Sequence, residues 1–255
     1  MLSQTRRMFV GLGAAATLAN TSDYKVIHGT PIRAIAFDGF AVFDPTPVFS
    51  LVKQMAPGKG EQLVSSWRTR QFEYTWLRSL TGSYSDFWQI TNDSLAFAEK
   101  ALGVQLSEDS RRRVMDQYLR LPCWPDATAS LRSLRDLGMR LVLLSNMTPH
   151  MLESCTQNSG LGGVFDALLS VDRAKIYKPA PKAYDVGVQA LRMKKEEILF
   201  VASAGWDASG AKAFGYQTYW VNRQGQPSER MGPGADGVGS TMDDLKRWIM
   251  QRGLN

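Results

Sequence analysis

The chain has 255 residues, a formal net charge of +6 and 44% hydrophobic residues, which is enough to bury one large core or a core with an insert. The sequence has neither an uncharged apolar run of about 18 residues, as a membrane span requires, nor a long basic tract of the kind that binds nucleic acid. Its two histidines and two isolated cysteines argue against a His-based triad, a multi-His metal site or a disulfide framework. Any catalytic groups are therefore expected among the carboxylates, lysines and arginines.

The N-terminal segment resembles a twin-arginine export signal. Arg6 and Arg7 are followed by a weakly apolar stretch of small residues over 11–18. We therefore expect residues 1–25 to be a signal outside the fold and the protein to be periplasmic. The alternative is a loose N-terminal tail on a cytoplasmic protein.

The first predicted strand lies in residues 32–44, IRAIAFDGFAVFD, where an apolar run ends in Asp38. This pattern is typical of a buried parallel strand with the aspartate just past its C-terminal end. In open α/β sheets, ligands bind at that edge. Asp38 is therefore a candidate reactive group, although an aspartate after a strand is also a common cap or turn residue.

A helical segment follows, with no strand pattern between residues 47 and 121. Amphipathic spacing predicts helices over 62–80 and 84–102, and Ser107 is a plausible N-cap for a third that runs to about 120. A run of helices that interrupts an α/β pattern indicates an inserted helical cap.

Alternation of strands and helices resumes after Pro122. Strands are predicted over 139–144, 167–171, 198–202 and 217–221, and helices from 149, over 182–193 and over 206–214. Ser240 and Asp243 form a capping-box pattern for a last helix, and 224–238 is predicted to be a long surface loop. Short connections between strands and helices predict a doubly wound, parallel α/β sheet, with residues 32–46 and 122–255 as its core and 47–121 as the cap.

Four polar sites fall at predicted C-terminal strand ends or in the adjacent loops. They are Asp38, Ser145 with Asn146, Lys178 with Pro179, and the loop 202–207, which contains Asp207. Each is weak alone. In this order they resemble the haloacid dehalogenase superfamily and, within it, the type II (S)-2-haloacid, or L-2-haloacid, dehalogenases, over about residues 32–243. The most specific segment is WRTRQFEYTWLR at 67–78.

The resemblance implies a Rossmann-like core with an α-helical cap, a metal-independent hydrolase of short L-2-haloalkanoic acids that needs no cofactor, and a homodimer. It implies two sets of site residues, which are catalytic Asp38, Arg68, Ser145, Asn146, Lys178 and Asp207, and substrate-binding Phe40, Phe72, Phe87, Tyr184 and Trp206.

The chemistry of the residues agrees with these roles. A carboxylate such as Asp38 can displace halide and form an ester, Lys178 would keep it ionised, and Arg68 with Asn146 would hold the halide. Ser145 would hold the substrate carboxylate or orient Asp38, and Asp207 would orient or deprotonate water.

Each residue also has a plain structural interpretation. Arg68 could be a solvated charge on a helix face, and Asp207 an N-cap. Phe72, Phe87 and Trp206 could be plain core residues, and Tyr184 could simply pack within its helix.

Phe40 separates this chemistry from that of the magnesium-dependent phosphatases of the superfamily. Those enzymes carry a second aspartate two residues after the nucleophile, where this chain has Phe40. Asp38 and Asp207 supply few hard oxygen ligands for Mg²⁺. Phosphoryl transfer would thus lack its main source of charge neutralisation.

Two loops depart from the dehalogenase pattern. The loop after Asp38 is one residue shorter and lacks the usual Tyr and Thr hydroxyls, and Ala202 and Ala204 replace a Ser and an Asn. Each lost donor can cost about 10²–10³ in rate. Three outcomes stay open: a working dehalogenase with a rearranged pocket, a phosphatase-like hydrolase, or an impaired homologue that binds small carboxylates.

Overall fold

A six-stranded parallel sheet organises the protein, whose computed structural model describes residues 30–252. The predicted export signal lies outside these residues. The strands are β1 (Ala34–Phe37), β2 (Arg140–Ser145), β3 (Ala167–Ser170), β4 (Ile198–Ala202), β5 (Gln217–Val221) and β6 (Gly237–Gly239). Their order in the sheet is β3-β2-β1-β4-β5-β6, and every neighbouring pair is parallel. The predicted doubly wound α/β fold is confirmed.

The central strand β1 explains where the site forms. Its four residues, AIAF, are fully buried, as expected for a strand covered by helices on both faces. β1 pairs with β2 on one side and β4 on the other, so the order of the strands reverses beside it. The carboxyl ends of β1 and β4 therefore meet at the switch point, where open α/β sheets bind ligands.

Ten α-helices surround the sheet within the described residues. They are α1 (Gly39–Val42), α2 (Thr46–Met55), α3 (Gly60–Thr81), α4 (Phe87–Leu102), α5 (Glu108–Tyr118), α6 (Ala127–Asp136), α7 (Pro149–Asn158), α8 (Pro181–Leu191), α9 (Gly205–Phe214) and α10 (Met242–Gln251). Helices α2 to α5 follow one another without an intervening strand, where the sequence predicts the cap. The boundaries of a separate cap domain stay a prediction. None of the helices described here is long and apolar enough to cross a membrane.

The C-terminal region differs from the sequence-based expectation in two details. The capping box of α10 is formed by Thr241 and Asp244, one residue after the expected pair. The reason is that the Thr241 hydroxyl accepts a hydrogen bond from the Asp244 backbone amide at 3.1 Å. In addition, β6 begins at Gly237, within the last two residues of the expected surface loop 224–238. Asp236 holds it in register by accepting the Thr218 amide at 2.9 Å, a long-range contact that a Gly-Val-Gly segment does not signal.

Candidate active site

Asp38 directly follows β1 and is only 6% exposed. Three groups hold its carboxylate. The Ser203 hydroxyl donates to Oδ2 at 2.7 Å, the Phe40 amide donates to the same oxygen at 3.1 Å, and Lys178 Nζ donates to Oδ1 at 2.9 Å. The aspartate is therefore fixed in one orientation at the carboxyl edge of the sheet.

Lys178 joins the two carboxylates of the site. Its ammonium lies 2.9 Å from Asp38 Oδ1 and 2.7 Å from Asp207 Oδ2, and its side chain is 1% exposed. Burial alone would lower the pKa of Lys178, but the charges of Asp207 and Asp38 outweigh it and raise that pKa above its usual value. Lys178 is therefore a permanent cation between two anions.

Asp207, in the first turn of α9, is buried beside this cation. Burial raises its pKa to about 6, although Lys178 and Tyr184 both favour the ionised form. The Tyr184 hydroxyl donates to Oδ1 at 2.7 Å, and burial followed by the charge of Asp207 keeps the pKa of this phenol well above its ordinary value. Asp207 thus titrates near the pH range in which a general base is useful.

A cavity of about 470 Å³ opens above the carboxylates. Seven of the predicted site residues contribute to its wall, which are Asp38, Phe40, Arg68, Phe72, Asn146, Trp206 and Asp207. Ser203, Trp124 and the segment 222–229 also line it. Most of that segment, from Gln224 onward, belongs to the expected surface loop, whose sequence does not indicate a place at the site.

Arg68 reaches the cavity from α3 and is surrounded by aromatic rings. Its guanidinium carbon lies 4.9 Å from the ring centroid of Phe72, 5.0 Å from that of Phe49 and 5.4 Å from that of Phe40. One terminal nitrogen donates to Gln71 Oε1 at 3.0 Å. The cation is thus held by ring faces and an amide, and a guanidinium has five N–H donors to share with a ligand.

The carboxyl end of β2 contributes Ser145 and the residue that follows the strand, Asn146. Asn146 Oδ1 accepts the Lys178 backbone amide at 3.2 Å, which leaves the side-chain NH₂ as a donor at the cavity. Ser145 is buried, and its hydroxyl accepts the Met147 amide at 3.2 Å. A Cβ on Gly39 would lie only 2.7 Å from Ser145 Oγ, so a glycine here allows the start of α1 to approach the end of β2.

Ser145, Phe87, Lys178 and Tyr184 lie behind the wall of the cavity rather than in it. Phe87 is fully buried, and its ring centroid lies 6.4 Å from that of Phe40. The Tyr184 hydroxyl donates to Asp207 Oδ1. In place of the expected substrate contact, the structure gives these two aromatic side chains a supporting position, because Phe87 lies against Phe40 and Tyr184 against Asp207 and neither lines the cavity.

The sequence does not single out two supporting polar residues. Ser203 lies in the altered loop 202–207 and follows β4 as Asp38 follows β1. Gln71 is fully buried, and its amide nitrogen donates to Thr91 Oγ1 at 2.6 Å. The available signal was a glutamine among the buried positions of α3, three residues after Arg68.

The two carboxylates are bridged by an ammonium group. Among residues 30–252, no three His, Cys, Asp or Glu side chains are grouped so that they could hold a metal ion. The arrangement provides a buried nucleophile, a second carboxylate of raised pKa and an arginine in an aromatic setting, which together suit displacement at carbon followed by hydrolysis.

The comparisons with known proteins agree with this geometry. The chain is 41% identical to haloacetate dehalogenase H-2 of Moraxella sp. (strain B) over 219 residues, which are 86% of this chain and 98% of that protein. A crystal structure of an L-2-haloacid dehalogenase matches with a TM-score of 0.85 and 40% identity, covering 87% of this chain and all of the other.

A second structural match carries a bound substrate group. L-2-haloacid dehalogenase from Xanthobacter autotrophicus with covalently bound chloropropionic acid superimposes with a TM-score of 0.80 at 32% identity, covering 86% of this chain and 98% of that one. A family model for haloacid dehalogenase-like hydrolases matches residues 32–215. This chain belongs to the haloacid dehalogenase-like hydrolase family.

Proposed function

We propose that the protein hydrolyses the carbon–halogen bond of short L-2-haloalkanoic acids and yields 2-hydroxy acids through an ester on Asp38. The observation that carries the proposal is the placement of the buried, lysine-paired carboxylate of Asp38 at the cavity that Arg68 and Asn146 also line. The relatives named above bear dehalogenase names, which supports the same reaction class.

In the first step, Asp38 attacks C2 of the substrate from the side opposite the halogen. A carboxylate is a competent nucleophile for such a displacement when it is ionised and held in place. Lys178 supplies the positive charge that favours the ionised form. Arg68 and the Asn146 amide stabilise the departing halide, whose charge develops in a largely desolvated setting.

In the second step, water attacks the ester carbonyl carbon, which is Cγ of Asp38, and Asp207 accepts a proton from the water. Asp207 suits this role because burial raises its pKa to about 6, close to the operating range of a general base. Phe40, Phe72 and Trp206 provide apolar contacts for the alkyl group. Phe72 and Trp206 lie edge to face, with their ring centroids 5.5 Å apart.

A halide-release assay tests the proposal. Purified protein lacking residues 1–25 is expected to release chloride from L-2-chloropropionate, not from the D enantiomer, and to be unaffected by EDTA. Asp38→Asn removes the nucleophile and is expected to abolish release, whereas Asp136→Asn, at an exposed position of α6, serves as the matched control. Phosphate release from small esters only with Mg²⁺, or binding of small carboxylates without any turnover, would contradict the proposal.

We extend the proposal to a homodimer. Its support is the family resemblance together with apolar side chains exposed on α3 and α4, of which Leu80 is 83%, Leu77 51% and Phe97 39% exposed. Sedimentation of the purified protein is expected to give twice the monomer mass, and Leu80→Lys to shift it toward the monomer. A monomer at all accessible concentrations would contradict this part.

We also propose export by the twin-arginine-like segment and a periplasmic location. The support is the sequence around Arg6 and Arg7 alone. Cell fractionation of the full chain is expected to find a shortened protein in the periplasm, and replacement of both arginines by lysine is expected to retain it in the cytoplasm. A full-length protein confined to the cytoplasm would contradict export.

A further inference from the structure

The two carboxylate oxygens of Asp38 have different surroundings. Oδ2 accepts two hydrogen bonds, from the Ser203 hydroxyl at 2.7 Å and the Phe40 amide at 3.1 Å. Oδ1 accepts one, from Lys178 at 2.9 Å. Because each carboxylate oxygen has about two lone-pair positions, those of Oδ2 are both engaged, while Oδ1 keeps one for a bond to carbon.

We infer that Oδ1 is the attacking oxygen, and that the Ser203 hydroxyl and the Phe40 amide form an oxyanion hole around Oδ2 for hydrolysis of the ester. This inference rests on the proposed dehalogenase function and assigns to Ser203 a role in the second half of that reaction.

Bonds and charges balance over the two steps. In the first step, a lone pair of Oδ1 forms the bond to C2, and the carbon–halogen pair leaves with the halide. In the second, water oxygen adds to Cγ, its proton passes to Asp207, and the Cγ–Oδ2 π pair becomes a negative charge on Oδ2. That charge re-forms the double bond, the Cγ–Oδ1 bond breaks, and the alkoxide takes the proton from Asp207. Asp38, now carrying the oxygen of water, loses its remaining proton to solvent.

The charge on Oδ2 changes in opposite directions in the two steps. It falls when the carboxylate becomes an ester, so donors at Oδ2 give no help to halide displacement. It rises when the tetrahedral intermediate forms, so the same donors stabilise that transition state more than the ester. Ser203 should therefore affect hydrolysis selectively.

The position of Ser203 is fixed by the sheet. It follows β4, which pairs with β1 residue by residue up to Phe37 and Val201, and Trp220 Nε1 donates to its carbonyl oxygen at 3.4 Å. Its neighbours Ala202 and Ala204 carry no polar side-chain atom. Ser203 is thus the residue of this loop segment whose side chain can supply a donor to Asp38.

Single-turnover kinetics of Ser203→Ala test the inference. With protein in excess over L-2-chloropropionate, chloride release measures ester formation, and the intact mass of the quenched protein measures ester decay. We expect chloride release to stay close to that of the unsubstituted protein, and ester decay to slow by about 10²–10³-fold, as for loss of one oxyanion donor. The ester should accumulate during steady-state turnover.

Two further variants make the result specific. Ser203→Thr keeps a hydroxyl and is expected to restore most of the rate of ester decay, and Ser65→Ala, at an exposed position of α3, is expected to change neither step. Equal slowing of both steps, slowing of chloride release alone, or unchanged ester decay in Ser203→Ala would overturn the inference while leaving the proposed function in place. If the unsubstituted protein released no chloride, both would be overturned.

Discussion

The two sides of the cavity hold their charged groups by different means. On the sheet side, Asp38, Lys178 and Asp207 form consecutive contacts of 2.9 and 2.7 Å between buried charges of opposite sign. On the side of α3, Arg68 is held by three ring faces and the neutral amide of Gln71. One side is a closed network of ions, whereas the other presents a cation whose nearest described contacts are uncharged.

The difference corresponds to the tasks that the proposed reaction gives to the two sides. In that reaction the sheet side must keep a nucleophile ionised and in place through both steps, and buried opposite charges do this at the cost of desolvation. The α3 side would receive the halide, an anion that exists only after the first step. A cation already neutralised by a carboxylate would bind halide poorly, so aromatic faces and an amide can orient Arg68 while its charge stays available.

Removing the central cation should have the largest effect. Lys178→Met leaves two buried carboxylates facing each other, and we expect both a loss of at least about 10³-fold in turnover and about 3–5 kcal/mol lower stability. Chloride release and urea unfolding measure the two effects. Lys182→Met, at an exposed position of α8, is the control. Unchanged stability would show that the three charges do not form one network.

Replacing Arg68 should impair turnover strongly but stability weakly. Arg68→Lys keeps the charge but loses the planar group that lies against the rings, and we expect turnover to fall by about 10²-fold with little change in unfolding. Arg70→Lys, which alters a guanidinium lying 4.1 Å from the Phe97 centroid, is the matched control. A loss of stability as large as that of Lys178→Met would remove the distinction between the two sides.

Gln71 provides a milder test of the α3 side. Gln71→Leu removes the hydrogen-bond acceptor for Arg68 and leaves the aromatic rings around it. We expect turnover to fall about fivefold to tenfold, because one hydrogen bond contributes about 1 kcal/mol. The expected change is in kcat, with KM nearly unaffected, since the halide charge is absent from the bound substrate. Gln62→Leu, at an exposed position of the same helix, is the control. A change in KM alone would show that Gln71 acts on substrate binding instead.

The sequence predicts the sheet side better than the α3 side. Asp38, Lys178 and Asp207 lie at or beside the ends of parallel strands, and parallel topology alone brings such ends to one edge. The predicted strand bounds 198–202 agree with β4, because a continuous apolar run there lies between Glu197 and Ser203. The predicted bounds 217–221 agree with β5.

The contacts that tune the site could not be predicted in the same way. The bond from Ser203 to Asp38 depends on the path of a loop, and that of Gln71 to Arg68 on which rotamers the packing of α3 against α4 permits. Phe87 and Tyr184 show the same limit. The family resemblance predicts that these aromatic residues lie near the site, but only the depth of each helix decides whether the side chain touches the cavity or supports a residue that does.

The pH dependence of ester hydrolysis gives the smallest but most selective test of the sheet side. Asp207 must be ionised to accept a proton, and burial raises its pKa to about 6, so hydrolysis should decline as the pH falls through that value, to about one-tenth at one pH unit below it. The rate of chloride release in a single turnover should show no such decline, or acid limb, in its pH profile, because the first step transfers no proton.

Tyr184→Phe sharpens this test. The phenol lowers the pKa of Asp207 by donating to its ionised form, so its removal should move the limb of ester decay to higher pH and leave the rate well above the limb nearly unchanged. Tyr74→Phe, on the half-buried side of α3, should leave the limb in place. A limb that moves to lower pH, or one near the ordinary value for an aspartate, would show that Asp207 is not the base and that the second carboxylate serves only to hold Lys178.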